Sequence, residues 1–166
     1  MPRLIPGKQI EAFLDLIAAS EGTTDSPATR DDGYDVIVTG ISGPNVFTDY
    51  SAHPFANGRP PILVRTAPTE IISTASGRYQ IILPTWVSLA KARSLTTFSP
   101  QAQDIAAMQL LTENGALDLI DSGRIASAIE ACNETWASFP GNSYGQGGRT
   151  LEWLLVKYTT LLATEA

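Results

Sequence analysis

Apolar residues recur at helical spacing close to the start of the chain. This spacing predicts a first helix over residues 8–20, with one apolar face made of Ile10, Phe13, Leu14, Ile17 and Ala18. Gly22 ends the pattern, and the polar, glycine- and proline-containing segment 22–33 that follows is typical of turns.

The next segment changes to short runs of β-branched and aromatic residues. "YDVIV" (34–38) and "NVFTDY" (45–50) are separated by "TGISGP", whose glycines suit a chain reversal. We predict a hairpin here and expect it to be the only sheet. Residues 51–76 are predicted to be a loop, because prolines at positions 54, 60, 61 and 68 oppose regular central strands.

From Pro84 onward the pattern is helical. The predicted helices lie in "PTWVSLAKA", in "SPQAQDIAAMQLLTENG" with Ser99 as N-cap and Gly115 as stop, in "GRIASAIEAC" and in "TLEWLLVKYTTLLATEA". The last helix carries an apolar stripe, which favours core packing over membrane binding because Lys157 is its only cation. The fold class is therefore α+β, mainly helical, and 166 residues suit a single domain.

Charge and cysteine content exclude several classes of function. The formal net charge of -6 opposes binding to nucleic acid or to an anionic membrane surface. The single cysteine, Cys132, cannot form an internal disulfide, and we interpret it as a small buried hydrophobe. One histidine, His53, does not suffice for a histidine-rich metal site, so neither a metal nor an organic cofactor is expected.

The sequence offers no obvious route across a membrane. "MPRLIPGKQI" lacks the apolar region of a signal peptide, and no run approaches the roughly 18 apolar residues of a spanning helix. We therefore expect the protein to reside in the cytoplasm, and any action outside it to need another protein for release.

Glu21 lies at an unexpected position. It follows Ile17 by four residues and so falls on the apolar face, at the C-terminal end of the predicted helix. Burial and the negative end of the helix dipole both disfavour a carboxylate, so both raise its pKa. A raised carboxyl pKa suits a general acid, although a solvent-exposed glutamate at a helix end is the plainer alternative.

Other polar residues could complete a site. Asp35 begins the predicted hairpin, Tyr50 ends it and His53 follows, while "SGRYQ" (76–80) combines a glycine turn with groups that suit carbohydrate. An aromatic ring stacks on a sugar face and an amide pairs with hydroxyl and acetamido groups. Each residue also has a structural alternative: Arg78 in a surface ion pair, Tyr79 in the core, Gln80 as a cap. Tyr144 lies in the glycine-rich "GNSYGQGG".

Several sequence blocks together resemble a known family. They occur in the order "AFLDLIAASEGT", "GYDVIV", "FTDYSAHP", "SGRYQ", "FSPQAQD", "GALDLIDSGRI" and "WASFPGNSYGQ". They are similar to the bacteriophage lambda endolysin family of peptidoglycan lytic transglycosylases, over nearly the whole chain. The resemblance implies a lysozyme-like fold over residues 1–166, in which a helical lobe and a small β-containing lobe (about 30–75) flank a saccharide cleft. It also implies a single essential glutamate, which falls on Glu21.

The resemblance implies a reaction as well. We expect cleavage of the β-1,4 bond between N-acetylmuramic acid and N-acetylglucosamine in peptidoglycan, with Glu21 first as acid and then as base, giving 1,6-anhydromuramoyl ends. Residues expected in the cleft, from resemblance and chemistry together, are Asp35, Tyr50, His53, Ser76, Arg78, Tyr79, Gln80, Gln103 and Tyr144.

Two alternatives and two partner predictions complete the expectation. Glu21 and Asp35 could instead form the carboxyl pair of a hydrolytic muramidase, or the chain could be a non-catalytic module that binds cell-wall glycan. We expect a monomer that acts on peptidoglycan strands and depends on a separate holin-type membrane protein for release.

Overall fold

The structure is a computed structural model that describes residues 1–143 and 148–164. The described helices are α1 (Lys8–Glu21), α2 (Leu83–Arg93), α3 (Pro100–Glu113), α4 (Leu117–Asp121), α5 (Ile125–Ala131) and α6 (Leu151–Thr164). The described strands are β1 (Val36–Gly40), β2 (Gly43–Val46), β3 (Ile62–Arg65) and β4 (Ile71–Ser73).

The chain divides into two compact units. The first, which we call the helical unit, joins Met1–Glu21 to Ala107–Ala166. The second, which we call the strand-containing unit, is the continuous segment Gly22–Ala106 and holds all four described strands. The boundaries fall directly after Glu21 and within α3. The predicted single catalytic domain stays a prediction.

Helix α1 forms the centre of the helical unit. It packs against α6 and α4, and the Phe13 ring meets the rings of Phe139 and Tyr158 edge-on, with centroids 6.1 and 6.4 Å apart. The sequence predicts burial of one face, but every residue from Ile10 to Ser20 is buried. The two acidic residues within that range are buried together with the apolar face.

The predicted hairpin is present with shifted bounds. β1 and β2 pair antiparallel, with Val36 opposite Val46 and Gly40 opposite Gly43. The connection is therefore tighter than expected, and Gly43 adopts a φ of +95° there. β2 ends at Val46, and the next residue, Phe47, is buried with its ring 5.8 Å from that of Phe98.

The prediction of only one sheet is wrong. Within the segment expected to be a loop, β3 and β4 form a second antiparallel pair, with Ile62 opposite Ser73 and Leu63 opposite Ile72. Prolines oppose central strands, but each of these sheets has only two strands. Both strands are therefore edges, and the prolines lie before β3 and in the connection between β3 and β4.

The predicted helices of the second half are confirmed, and α4 is an additional short helix that the pattern did not indicate. Ser99 caps α3, since its hydroxyl accepts the backbone N–H of Ala102 at 3.3 Å, and Gly115 ends this region with a φ of +66°. On α6, only Leu154 and Tyr158 of the predicted stripe are buried. Within the described ranges, no helix is long and apolar enough to cross a membrane.

Candidate active site

Glu21 is the last residue of α1, where the pattern of the sequence predicts it. The residue is half-buried, and the helix that carries it is buried along its length from Ile10 to Ser20. Gly22 follows with a φ of +73°, a left-handed conformation that ends the helix at once and that glycine adopts without strain.

Ser138 is the principal partner of Glu21. Its hydroxyl donates a hydrogen bond to Oε1 of the glutamate at 2.6 Å, and its backbone N–H also bonds the carboxyl group. The Ser138 hydroxyl in turn lies 2.9 Å from the hydroxyl of Ser20, and the Ser20 hydroxyl lies 2.8 Å from the carbonyl oxygen of Ile17. The carboxyl group therefore stands at the end of a short chain of hydroxyls.

Opposing effects determine the pKa of Glu21. Burial raises the pKa because it penalises the ionised form, whereas the hydrogen bonds from the hydroxyl and backbone of Ser138 lower it. Burial is the larger effect, so the pKa lies above its ordinary value of 4.5. The direction predicted from the sequence is confirmed, and it suits a carboxyl that holds a proton for donation.

The segment that carries Ser138 is fixed by its own backbone. The N–H of Phe139 bonds the carbonyl of Trp136 at 2.9 Å, and the carbonyl of Ser138 accepts the N–H of Arg149 at 2.8 Å. A side chain at Gly148 would collide with that same Ser138 carbonyl. Sequence reasoning did not identify Ser138, although it lies in the block "WASFPGNSYGQ" that carries the family resemblance.

Asp35 is buried and its carboxylate is engaged locally. Oδ1 accepts the hydroxyl of Thr29 at 2.5 Å and Oδ2 accepts the backbone N–H of Arg30 at 2.9 Å. Thr29 also accepts the N–H of Gly33 at 2.8 Å and that of Asp31 at 3.3 Å. The carboxylate thus holds together the turn that precedes β1.

The "SGRYQ" segment lies mostly inside the strand-containing unit. The exposed fraction is only 1% for both Arg78 and Tyr79. The Tyr79 and Tyr34 hydroxyls both donate to Oδ1 of Asp104, at 2.7 and 2.6 Å. Burial first, and the nearby Asp104 charge second, raise the pKa of both tyrosines.

The buried Arg78 has its own polar and aromatic partners. Its guanidinium lies 5.2 Å from the centre of the Tyr34 ring and 3.0 Å from the carboxylate of Asp32. The Arg78 side chain, for which a surface ion pair was the structural alternative, therefore crosses the interior of the unit, where both an anion and a ring face compensate its charge.

The side chains of Gln103 and His53 are also buried, and both bond backbone groups of the strand-containing unit. The Gln103 amide oxygen accepts the N–H of Arg78 at 2.9 Å, and its nitrogen donates to the carbonyl of Tyr34 at 3.1 Å. Nδ1 of His53 accepts the N–H of Phe55 at 3.3 Å, so Nε2 carries the ring proton and donates to Ile81 at 3.0 Å. Burial lowers the pKa of His53 and keeps the ring neutral.

The remaining predicted residues differ in exposure. Ser76 is buried, whereas Tyr50 and Gln80 are half-buried. The Tyr50 hydroxyl donates to Asp31 at 2.8 Å, and the Gln80 amide donates to the carbonyl of Gly77 at 3.0 Å. Tyr144 lies outside the described residues.

Burial therefore separates the predicted binding residues into two groups. The side chains enclosed in the interior are those of Asp35, His53, Ser76, Arg78, Tyr79 and Gln103. Among the described members, Tyr50 and Gln80 have surface that a ligand could reach. Enclosure favours a framework role for the first group, and their predicted contact with substrate stays a prediction.

Cys132 is buried, as the sequence predicts, and burial raises the pKa of its thiol to about 12. The thiol is therefore uncharged at neutral pH and does not act as a nucleophile. Across residues 1–143 and 148–164, no group of three or more histidine, cysteine, aspartate or glutamate side chains could hold a metal ion.

Nearly the whole chain is similar to known endolysins. A family model described as "Endolysin" matches residues 11–164. The endolysin of Escherichia phage P2 is 49% identical over 161 residues, which cover 96% of this chain and 96% of that protein. The endolysin of Escherichia phage lambda is 44% identical over 151 residues, which cover 90% and 89%.

Solved structures give the same result for the fold. A bacteriophage lambda lysozyme complexed with a chitohexasaccharide matches with a TM-score of 0.81 and 41% identity, over 97% of both chains. A second structure, of the lysozyme from bacteriophage lambda, matches with a TM-score of 0.74 and 38% identity, over 98% of this chain and 94% of the other. The predicted lysozyme-like α+β fold is confirmed.

Proposed function

This chain belongs to the endolysin family and is a lysozyme-like enzyme that acts on peptidoglycan, and from that premise we propose the reaction it performs. It cleaves the β-1,4 bond between N-acetylmuramic acid and N-acetylglucosamine by lytic transglycosylation. Glu21 is the single group that transfers the proton. The observation that carries this proposal is the half-buried carboxyl of Glu21, held by Ser138 and raised in pKa by burial.

In the first step, Glu21 acts as the acid. Its protonated carboxyl donates to the glycosidic oxygen, and the bond to C1 of the muramoyl unit breaks as positive charge develops at C1. The raised pKa supports this role, because the carboxyl remains protonated at a pH where an exposed glutamate is ionised. The N-acetyl oxygen of the same sugar stabilises C1.

In the second step, the same group acts as the base. The ionised Glu21 takes the proton from the C6 hydroxyl, whose oxygen closes onto C1 and forms the 1,6-anhydro ring. The carboxylate that exists between the two steps accepts hydrogen bonds from the hydroxyl and backbone N–H of Ser138. Donors of this kind stabilise an anion in a half-buried site, which supports a reaction that passes through ionised Glu21.

The surroundings of Asp35 support the absence of a second catalytic carboxylate. A retaining hydrolase places its second carboxylate about 5 Å from the first, where it captures C1. Asp35 is the candidate for this task, but Thr29 donates a hydrogen bond to one of its oxygens and Arg30 to the other. A carboxylate committed to two local donors is a poor nucleophile, which favours transglycosylation over hydrolysis.

For substrate binding we propose Tyr50 and Gln80, whose side chains are half-buried, together with Tyr144. The lambda lysozyme that matches this chain was solved with a chitohexasaccharide, which supports a glycan strand as the ligand. Action as a monomer, residence in the host cytoplasm and dependence on a holin-type membrane protein stay predictions.

The decisive experiment is mass analysis of the muropeptides that the enzyme releases from purified peptidoglycan. Anhydro ends are lighter than reducing ends by one water, so transglycosylation and hydrolysis give different masses. We expect anhydro ends from the wild type and no release by Glu21→Gln. The matched control is Glu113→Gln, because Glu113 is exposed and also ends a helix.

Each unfavourable result has a separate meaning. Reducing ends alone would replace the transglycosylase with a hydrolytic muramidase. Full release by Glu21→Gln would remove the catalytic assignment and favour a module that only binds the cell wall.

A further inference from the structure

The hydroxyl chain beside Glu21 contains fewer protons than contacts. Three short contacts follow one another: Glu21 Oε1 to Ser138 Oγ at 2.6 Å, Ser138 Oγ to Ser20 Oγ at 2.9 Å, and Ser20 Oγ to the Ile17 carbonyl at 2.8 Å. Each contact needs one proton, and each serine hydroxyl supplies only one. The two serines therefore satisfy two contacts, and the third needs a proton from the carboxyl.

The protonation state of Glu21 decides which contacts are hydrogen bonds. When Oε1 carries a proton, the carboxyl donates to Ser138, Ser138 donates to Ser20, and Ser20 donates to the Ile17 carbonyl. All three contacts are then satisfied. When the carboxyl is ionised, Ser138 must donate to it. Ser20 can then donate to Ser138, which strengthens the bond from Ser138 to the carboxylate.

We propose that Ser20 and Ser138 form a reversible hydroxyl pair whose direction changes each time Glu21 passes between acid and base. Ser20 is a positioning residue, since it acts on Glu21 only through Ser138. This inference rests on the proposed acid–base role of Glu21.

The reversal conserves every proton. In the acid step the carboxyl proton leaves its hydrogen bond with Ser138 and passes to the glycosidic oxygen, and both serine hydroxyls then rotate toward the carboxylate with their own protons still attached. In the base step Glu21 receives the proton of the C6 hydroxyl, and the hydroxyls rotate back. No covalent bond forms or breaks at either serine. The pair thus offers hydrogen bonds to both forms of the half-buried Glu21, and its member Ser20 is only 6% exposed.

The first test is the pH dependence of kcat/KM for the variants Ser138→Ala and Ser20→Ala. Activity falls at high pH as the acid ionises, so the midpoint of this alkaline limb reports Glu21. Ser138→Ala removes a donor to the anion and should move the limb to higher pH, with kcat lowered about tenfold and KM changed less than twofold. Ser20→Ala should move the limb in the same direction, with kcat lowered about threefold.

Two further variants separate this role from a general loss of structure. Ser138→Thr keeps the hydroxyl and should restore the wild-type limb. Thr112→Ala is the matched control, because it removes a hydroxyl that bonds a helix carbonyl at 2.9 Å in the same unit and has no link to Glu21. Its limb and kcat should equal those of the wild type.

A second test needs no activity. At alkaline pH, Glu21→Gln replaces a half-buried carboxylate with a neutral amide and should raise the Tm. We expect this rise to be larger in the Ser138→Ala background than with Ser138 present, because the carboxylate lacks its hydroxyl donor there. Equal changes in the two backgrounds would overturn the inference, since the two positions would then be uncoupled.

The outcomes distinguish this inference from the function on which it rests. Inactive Glu21→Gln combined with wild-type pH limbs for both serine variants would overturn the hydroxyl pair and leave the transglycosylase intact. Active Glu21→Gln would instead overturn the catalytic assignment itself.

Discussion

Replacing Asp35 with asparagine tests whether Asp35 is a structural or a catalytic carboxylate. Its two donors lie at different carboxylate oxygens, and an amide offers only one oxygen. Thr29 already accepts two backbone N–H groups, so its own proton must go to Asp35. Arg30 presents its N–H to the other oxygen. In Asp35→Asn, the amide NH₂ group must therefore face one of these donors.

The loss of stability in Asp35→Asn follows from the one hydrogen bond that the amide cannot accept. A hydrogen bond to a charged acceptor contributes about 1.5–3 kcal/mol. In a protein of this size, 1 kcal/mol corresponds to roughly 2–4 °C in Tm, so we expect Asp35→Asn to melt about 3–12 °C below the wild type. If Asp35 only supports the turn before β1, kcat at 20–25 °C should stay within about threefold of the wild type.

The assay compares Tm with initial rates on purified peptidoglycan, using Asp25→Asn as the control because Asp25 is an exposed carboxylate in the same unit. The control should match the wild type in both measurements. A loss of more than about a hundredfold in kcat with an unchanged Tm would refute this reasoning. That result would identify Asp35 as a catalytic nucleophile and favour the hydrolytic mechanism.

Two further predictions concern stability. The pKa of Glu21 is raised in the folded state, so the folded protein binds more protons than the unfolded chain once pH exceeds about 4.5. The free energy of unfolding of the wild type, measured in urea, should therefore fall relative to that of Glu21→Gln as pH rises from that value through the folded pKa. A difference between the two free energies that does not change with pH would contradict a raised pKa at Glu21. Gly77→Ala places a Cβ against the Gln103 amide oxygen at a φ of +77° and should cost about 2–4 kcal/mol, whereas an unchanged midpoint would contradict the tight contact.

The sequence predicted those elements that local pattern specifies. Helix α1 and the position of Glu21 at its end follow from apolar spacing and a terminating glycine. Strands β3 and β4 were missed, because strands of four and three residues between prolines carry almost no periodic signal. Their pairing with each other is a tertiary feature.

The residues that surround Glu21 and those that bind substrate were harder to predict from the sequence than Glu21 itself. Residue types in "SGRYQ" indicated sugar binding, yet nothing local shows that Tyr79 and Arg78 turn inward, where Asp104 and Tyr34 receive them. Ser138 lies 117 residues from Glu21 along the chain. A hydroxyl at such a separation becomes a partner only through the packing of the helical unit.

The discontinuity of the helical unit has a consequence for biosynthesis. The ribosome makes α1 first, but the rings that cover Phe13 belong to Phe139 and Tyr158, near the end of the chain. The strand-containing unit, by contrast, is one continuous segment of the chain. Ser138 can bond Glu21 only after nearly the whole chain has been translated. An unfinished chain therefore contains Glu21 without the burial and the hydrogen bonds that set its pKa.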